Sequence, residues 1–277
     1  MGLILASVGL ALLFVMVEMS VTFLVAHRLR NYGIVDVVWS AGFTGLAFLY
    51  GGMAWWQGEG ATLPIRSWIL LGLVTFWSLR LAIHLGLRVQ GHHPQEDIRY
   101  AELRREWGSR TTRRMFGFFH LQGVLQVILS LPFLLVLSSR PLPSETQTLS
   151  FAELCGAVVW GLGWFGESLA DRQLSQFRKD PTNRGKVCQL GLWNYSRHPN
   201  YFFEWMIWVG FALFALGSPW GWLGFLSPLM MGHFLINVTG IPMTEALSVK
   251  SKGDAYKQYQ QTTNAFFPWF KKTKSKP

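Results

Sequence analysis

The sequence predicts an all-α, multi-pass integral membrane protein. Half of the residues are hydrophobic and only 14% are charged, so long stretches of the chain carry no charge. A helix needs about 20 apolar residues to cross a bilayer, and seven stretches come close to or exceed that length. They cover residues 3–26, 34–56, 67–89, 116–138, 151–171, 200–217 and 219–240.

The ends of these stretches carry recognisable signals. The first has no basic leading segment and no small-residue cleavage site before His27, and it contains Glu18, so we expect a retained helix and not a signal peptide. The sixth is expected to begin at Pro199, whose missing N–H costs nothing at the first helical position. A tight turn at 217–220 joins it to the seventh.

Basic residues are distributed unevenly among the loops. With seven spans, alternate loops share a side, and 22 of the 25 Lys and Arg residues then fall on one side. The positive-inside rule therefore predicts an outside N-terminus and a cytoplasmic C-terminus, in a bacterial inner membrane or its equivalent. The net charge of +10 reflects this topology, and no nucleic-acid-binding motif accompanies it. No obligate protein partner is evident from the sequence.

Residues 191–204, GLWNYSRHPNYFFE, concentrate polar groups at the start of an apolar stretch. If a helix begins at Pro199, then Arg197, Asn200, Tyr201 and Glu204 follow the spacing i, i+3, i+4, i+7 of one helical face. A helix N-terminus beside an arginine favours anion binding.

Other apolar stretches also contain polar or ionisable groups, which are costly in a bilayer unless they bind something or each other. They are Asp36 and Trp39 on the second; Trp77, Arg80, His84 and Arg88 on one face of the third; Glu167 and Asp171 on the fifth; and His233 and Asn237 on the seventh. One interpretation is a set of interhelical hydrogen bonds that only hold the bundle together. The other is a pocket for a large polar ligand.

The segment between the fifth and sixth stretches favours the pocket. Its basic residues could neutralise several phosphate charges: Arg178, Lys179, Arg184, Lys186 and Arg197. An ordinary positive-inside loop is the alternative. The sequence has no Rossmann or P-loop fingerprint, no serine or cysteine nucleophile motif, and no Cys/His spacing typical of a metal site.

The same residues resemble a known family. The string from Gly191 to Tyr201, with Glu204, resembles the carboxy-terminal signature of steroid 5α-reductase-like membrane proteins. Further similar positions are Glu167, Asp171, Arg178 and Lys179 upstream, Glu245, Tyr256, Tyr259 and 266–268 in the tail, and Arg88, Glu96, Asp97, Arg99 and Tyr100, which resemble the bacterial branch. The resemblance runs from Gly33 onward and is strongest over 160–210. The Arg-His-Pro-x-Tyr core also occurs in sterol C14-reductases and isoprenylcysteine-type methyltransferases.

The resemblance implies an oxidoreductase of steroid or lipid metabolism. It would transfer a hydride from NADPH to the C=C bond of a 3-oxo-Δ4 steroid, or another enone lipid, that enters from the bilayer. Implied cofactor contacts are Glu167, Asp171, Arg178, Lys179, Lys186, Asn194, Arg197, His198, Asn200, Tyr201, Glu204, Tyr259, Arg88 and Trp39. In the animal enzymes a glutamate on helix 2 and a tyrosine on helix 3 polarise the ketone, and the nearest positions here are Asp36 and Trp77, with His84 close by.

These assignments predict one membrane domain over residues 1–277. Its cofactor end would be built from 167–204 and the 245–270 tail, and its substrate end from helices 1–4. Two other functions stay open. One is an isoprenylcysteine-type methyltransferase that uses S-adenosylmethionine, a cofactor without phosphate. The other is a transporter or lipid-binding protein, which would be expected to show inverted repeats or broken helices.

Overall fold

The computed structural model describes residues 2–58, 60, 62–92, 94–139 and 148–271, and these ranges contain helices but no strand. The chain divides into two compact units. Unit 1 comprises residues 1–150 and 215–224, and unit 2 comprises 151–214 and 225–277. The predicted substrate end lies in unit 1, and the predicted cofactor end lies in unit 2.

Unit 1 is built from six helices in the described ranges. They are α1 (Gly2–Leu29), α2 (Ile34–Gln57), α3 (Ile65–His92), α4 (Ile98–Trp107), α5 (Thr111–Leu129) and α6 (Leu131–Leu137). Helix α1 packs on α2 and α5, and α2 also packs on α3. Buried aromatic residues of α1, α4 and α5 form part of its core, including Phe23, Tyr100 and Phe119. These apolar contacts stabilise the helices against one another.

Helix α4 lies in a segment that the hydropathy pattern assigns to a loop. Its start is defined by Asp97, whose side chain accepts a hydrogen bond from the backbone N–H of Arg99 at 3.0 Å. An aspartate at this position satisfies a backbone donor that the helix itself leaves unpaired. The helix ends at Trp107, and the next residue is Gly108, whose φ of 50° is unfavourable for residues with a Cβ.

The fourth apolar stretch is a bent pair of helices. Helices α5 and α6 meet at an angle of 43°. Pro132 lies in the first turn of α6, where it cannot donate a backbone hydrogen bond and crowds the preceding turn. The proline therefore explains why this stretch is not one straight helix.

Unit 2 contains α7 (Phe151–Lys179), α8 (Pro199–Ala215), α9 (Leu226–His233), α10 (Ile241–Lys252) and α11 (Asp254–Thr262), with a π-helical turn at Phe234–Val238. Helix α8 begins at Pro199, as the sequence predicts. Helices α7 and α8 approach closely because glycines face the opposite helix. A Cβ at Gly163 would lie 2.9 Å from the backbone nitrogen of Ile207, and one at Gly210 would lie 2.6 Å from that of Trp160. Small residues permit such contact between membrane helices.

The helices support integration into a membrane. Four are long and apolar enough to cross a bilayer, and the bent pair α5–α6 raises the number to five within the described residues. The apolar stretch at 151–171 lies within the longer α7, and the one at 200–217 corresponds to α8, which has 17 residues. Seven spans and the orientation of the termini stay predictions.

Candidate functional site

A basic cavity lies at the C-terminal end of α7 in unit 2. Its volume is about 500 Å³. Its lining includes five basic residues, namely Arg178, Lys179, Arg184, Lys186 and Lys252. The sequence predicts Arg178, Lys179 and Lys186 as cofactor contacts, and the structure brings all three to this cavity. Such a concentration of cations favours a ligand that carries phosphate.

Local hydrogen bonds shape the loop that forms one wall of this cavity. Asp180 accepts hydrogen bonds from the backbone nitrogen of Thr182 at 2.9 Å and from its hydroxyl at 2.8 Å. These bonds lower the pKa of Asp180. Asn183 donates from Nδ2 to the carbonyl of Phe177 at 3.1 Å, which holds the loop against the last turn of α7. The turn then passes through Gly185, whose φ of 79° suits a residue without a Cβ.

One face of α7 connects this cavity to the acidic residues of the predicted site. Glu167, Asp171, Leu174 and Arg178 follow the spacing i, i+4, i+7, i+11, which places them along one side of the helix. Leu174 and Arg178 line the cavity. At 1.5 Å per residue this stripe extends over about 16 Å, so it could contact several groups of an elongated ligand.

Helix α8 supplies partners for the acidic end of the stripe. Nδ2 of Asn200 lies 3.4 Å from Oδ1 of Asp171, and both side chains are half-buried. Glu167 and Glu204 are buried, and Glu204 accepts a hydrogen bond from Nε1 of Trp208 at 2.9 Å. Asp171 on α7 and Asn200 on α8 are therefore paired with each other across the two helices.

Arg197 lies two residues before the start of α8, and its side chain contacts α10 and the chain around the end of α11. Its Nε lies 2.6 Å from Oε1 of Glu245, and Nη1 donates to the carbonyls of Gln260 and Thr263 at 2.9 and 2.5 Å. These contacts are directed at the tail of unit 2. In this structure Arg197 therefore joins α8 to α10 and α11, whereas the sequence predicts a contact with the cofactor.

His198 belongs to the same cluster. It is buried, its Nε2 lies 3.2 Å from Oε1 of Glu245, and its ring stacks on Tyr201 with a centroid distance of 5.3 Å. Burial lowers the pKa of His198, although the hydrogen bond with Glu245 acts in the opposite direction. The Tyr201 hydroxyl lies 3.1 Å from that of Thr244. Both residues thus stabilise the contact between α8 and α10.

The segment 191–196 is also fastened to its own chain. The buried hydroxyl of Tyr259 donates to the carbonyl of Trp193 and lies 3.1 Å from that of Ser196. Burial raises the pKa of Tyr259. Nε1 of Trp193 donates to the carbonyl of Ala170 on α7 at 3.0 Å, and the neighbouring Asn194 is half-buried. Tyr259 therefore holds this segment in place, and its predicted contact with a cofactor stays a prediction.

The predicted substrate residue Asp36 forms an ion-pair network in unit 1. Its Oδ2 lies 2.6 Å from Nη2 of Arg99, and its Oδ1 accepts a hydrogen bond from the buried Tyr100 at 2.7 Å. Arg99 also contacts Asp97 at 2.9 Å, and Arg88 contacts Asp97 at 3.1 Å. Burial raises the pKa of Asp97, but the hydrogen bonds and charge of Arg99 outweigh it, so the net shift is downward.

This network changes the interpretation of Asp36 and Arg88. Both carboxyl oxygens of Asp36 accept hydrogen bonds, one from Arg99 and the other from Tyr100. The geometry therefore favours an accepting Asp36 over the proton-donating role predicted for it. Arg88, predicted as a cofactor contact, binds Asp97 on its own unit.

The remaining predicted residues also lie in unit 1. Trp77 is fully buried and packs against Phe43 with a ring-centroid distance of 5.4 Å. His84 is half-buried on the same helix. Trp39, predicted as a cofactor contact, donates from Nε1 to the carbonyl of Gln122 on α5 at 3.1 Å.

Two residues of these clusters escaped the sequence analysis as functional candidates. Lys252 reaches the basic cavity from the end of α10, far along the chain from α7. Tyr100 binds Asp36 from α4, and its only sequence signal was its place in a charged segment that resembles the bacterial branch. Within the described residues, no three His, Cys, Asp or Glu side chains are arranged as a metal site.

Comparisons with known proteins identify a family. The chain is 34% identical over 93 residues to the uncharacterized protein C9.08c of Schizosaccharomyces pombe, a match that covers 27% of this chain and 33% of that relative. The matched segment therefore spans about a third of the relative's length. No solved structure matches the chain. Residues 22–263 match the family described as "Protein of unknown function (DUF1295)", and the chain belongs to this family.

Proposed function

We propose that this protein is a membrane oxidoreductase that uses NADPH to reduce the C=C bond of an apolar enone, such as a 3-oxo-Δ4 steroid. One observation carries the proposal. The stripe on α7 from Glu167 to Arg178 leads from the buried Glu167 and the half-buried Asp171 into a cavity lined by five basic residues. The family match agrees with it, because this family is associated with steroid 5α-reductase-like membrane proteins.

The residues along the stripe fit the chemistry of a dinucleotide. Phosphate groups require cations and hydrogen-bond donors, which the basic cavity offers through Arg178, Arg184 and Lys186. Ribose hydroxyl and carboxamide groups require partners that both donate and accept, and Asp171 with Asn200 offers these. S-adenosylmethionine carries no phosphate and only a single carboxylate, so a methyltransferase would leave most of the five basic residues without a matching ligand group.

When bound, NADPH supplies a hydride. The role of the protein is to hold the two reactants, exclude water and stabilise the charge that develops. Reduction of an enone develops negative charge on the ketone oxygen, so a hydrogen-bond donor at that oxygen stabilises the transition state more than the ground state. Glu204 and Glu167 are buried on α8 and α7, where they can orient polar groups of a ligand away from water.

Nucleotide titration of the detergent-purified protein tests this proposal. NADPH is expected to bind, and Lys186→Ala should weaken it about tenfold or more, since it removes a charge-assisted contact. Lys257→Ala is the matched control, because Lys257 is an exposed lysine of unit 2 paired with Asp254. Binding of S-adenosylmethionine in place of NADPH, or equal NADPH affinity in both variants, would contradict the proposal.

Turnover is measured separately. NADPH oxidation is followed in membranes with progesterone or testosterone as substrate. The reaction should require both the steroid and the nucleotide. NADPH binding without any enone reduction would retain the cofactor assignment and reject the substrate class.

A further inference from the structure

A group of polar side chains lies inside unit 1, away from the ion-pair network of Asp36. Glu18 is near the middle of the candidate span Ile4–Leu29. Gln122 and Gln126 are one turn apart on α5, so they share a face. We refer to these three residues as the Glu18 cluster. Polar groups at this depth in a membrane helix usually have a function.

Helix α2 brings the cluster together. Nε2 of Gln126 donates to the carbonyl of Trp39 at 2.7 Å, and Nε1 of Trp39 donates to the carbonyl of Gln122 at 3.1 Å. One turn later, Gly42 leaves room for Glu18. A Cβ at Gly42 would lie 2.6 Å from each carboxyl oxygen of Glu18 and would also overlap the amide nitrogen of Gln126. The carboxyl group of Glu18 and the amide of Gln126 therefore lie against the same turn of α2, and the backbone of Gln122 is hydrogen-bonded to Trp39 on the preceding turn.

Each member of the cluster has a buried polar atom without a hydrogen-bond partner among the described residues. These atoms are Oε2 of Glu18, Nε2 of Gln122 and Oε1 of Gln126. Gln126 is fully buried. Most buried polar groups in proteins are paired, and the bilayer core has no water to replace a missing partner. Three such atoms in one cluster point to a ligand that carries a polar atom of its own.

The protonation of Glu18 decides which ligand atom fits. Asp36 is paired with Arg99, whereas Oε2 of Glu18 has no hydrogen-bond partner among the described residues. An ionised carboxyl group inside a membrane bundle is costly without a cation beside it, so Glu18 carries its proton. A neutral carboxylic acid donates through O–H, and the Gln122 amide donates through N–H. A carbonyl oxygen accepts two hydrogen bonds and matches this pair of donors.

We propose that the Glu18 cluster binds the carbonyl oxygen of an apolar ketone and that Glu18 is the hydrogen-bond donor to it. The identity of that ketone as the enone substrate rests on the proposed function. The assignment would place the ketone donor on α1, in addition to the α2 and α3 positions predicted from the sequence. Glu18 and Gln122 would then stabilise the negative charge that develops on this oxygen.

Equilibrium binding without nucleotide tests the site independently of the reaction. The probes are progesterone and its analogue that lacks the 3-oxo oxygen, with wild-type protein, Glu18→Leu, Glu18→Gln and the control Ser20→Ala. Ser20 is a suitable control because its hydroxyl pairs with His120 at 3.1 Å and with the Met16 carbonyl. Thermal unfolding of each variant checks that the fold is retained.

Glu18→Leu is expected to weaken progesterone binding about tenfold, the loss of one hydrogen bond, and to leave the deoxy analogue unchanged. Glu18→Gln should retain most of the affinity, because its amide also donates. In isotope-edited infrared spectra, the stretch of the labelled ketone should fall on binding to wild type and fall less in Glu18→Leu. Equal loss for both ligands, no loss in Glu18→Leu, or no binding of progesterone to wild type would overturn the proposal. Failure of NADPH oxidation alone would reject only the proposed function.

Discussion

Nε of Arg197 lies 2.6 Å from Oε1 of Glu245, although 48 residues separate them. Both side chains are largely buried, with 11% and 13% of their surface exposed. Gln260 reinforces the pair, because its Nε2 donates to the other oxygen of Glu245 at 2.7 Å. This ion pair joins the segment before α8 to α10 within unit 2. Arg197, which belongs to the motif at 191–204, therefore stabilises the fold.

Arg197→Ala is therefore expected to destabilise unit 2. Removing one partner of a buried ion pair leaves the other charge uncompensated and costs about 3–5 kcal/mol. Thermal unfolding in detergent, followed by tryptophan fluorescence, measures the loss. The variant protein that remains folded should bind NADPH with nearly unchanged affinity. A large loss of NADPH affinity without a loss of thermal stability would show that Arg197 contacts the cofactor.

The stability of unit 2 should depend on pH through His198. Burial lowers the pKa of this residue below its ordinary value of 6.5, so the unfolded chain binds the proton more readily than the folded chain. The contribution of His198 to the free energy of unfolding is fully present above pH 6.5. It decreases as the pH falls from 6.5 to the pKa that His198 has in the folded protein. The loss amounts to about 1.4 kcal/mol for each unit by which the pKa is lowered.

His198→Gln tests this dependence. Glutamine can still hydrogen-bond to Glu245 but does not titrate, so the unfolding temperature should vary less between pH 5 and 7, roughly the range in which histidines titrate. Arg197, Glu245 and Tyr201 surround the ring. The Arg197–Glu245 ion pair does not involve His198, whereas the stack on Tyr201 is lost in the variant. An identical pH profile in the variant would show that other groups cause the dependence.

Asn200→Ala is expected to weaken NADPH binding about tenfold, because it removes the amide that faces Asp171 on α7. Glu204→Ala should also weaken NADPH binding, because Glu204 is proposed to orient polar groups of the ligand. Tyr201→Phe is the neighbouring control, since its hydroxyl pairs with Thr244. Nucleotide affinity is measured by titration with each variant. Equal affinity in Asn200→Ala and Tyr201→Phe would place the cofactor elsewhere.

Asp36→Asn should lower turnover more than NADPH affinity, because Asp36 lies in unit 1 and the basic cavity lies in unit 2. The substitution also breaks the ion pair with Arg99, so a moderate loss of stability is expected with it. Tyr100→Phe separates the two effects, since it removes only the hydrogen bond to Asp36. Equal losses of turnover and NADPH affinity in Asp36→Asn would argue against a role on the substrate side.

Hydrophobic patterning predicted much of the fold. Each of the seven apolar stretches is helical in the described ranges, and α8 begins at Pro199. The pattern missed α4, because this helix has only ten residues and most of them are polar, so the stripe of Tyr100, Leu103 and Trp107 that packs on the core is too short to be recognised. It also did not reveal the bend between α5 and α6, which depends on how Pro132 is accommodated.

The candidate site was predictable only where its residues are close in sequence. Asp171, Arg178, Lys179 and Lys186 belong to one helix and the loop after it, so helical spacing suffices to group them. Arg197 and Tyr259 were assigned to the cofactor by resemblance. In the structure the Arg197 guanidinium donates to Glu245, and the Tyr259 hydroxyl donates to the carbonyl of Ser196, which are far from them in sequence. A single sequence does not show which of two long-range partners a charged side chain will contact.

The sequence by itself determined that the chain is a helical membrane protein and that a basic loop separates α7 from α8, since periodicity and charge distribution are local properties. Only the tertiary structure decided which polar groups contact one another. It directed Arg197 to Glu245 and Asp36 to Arg99, and it placed Glu18 beside Gly42 and Gln126. The physical reason is that the low dielectric of a bundle interior makes each polar group depend on its nearest neighbours, and packing alone sets these neighbours.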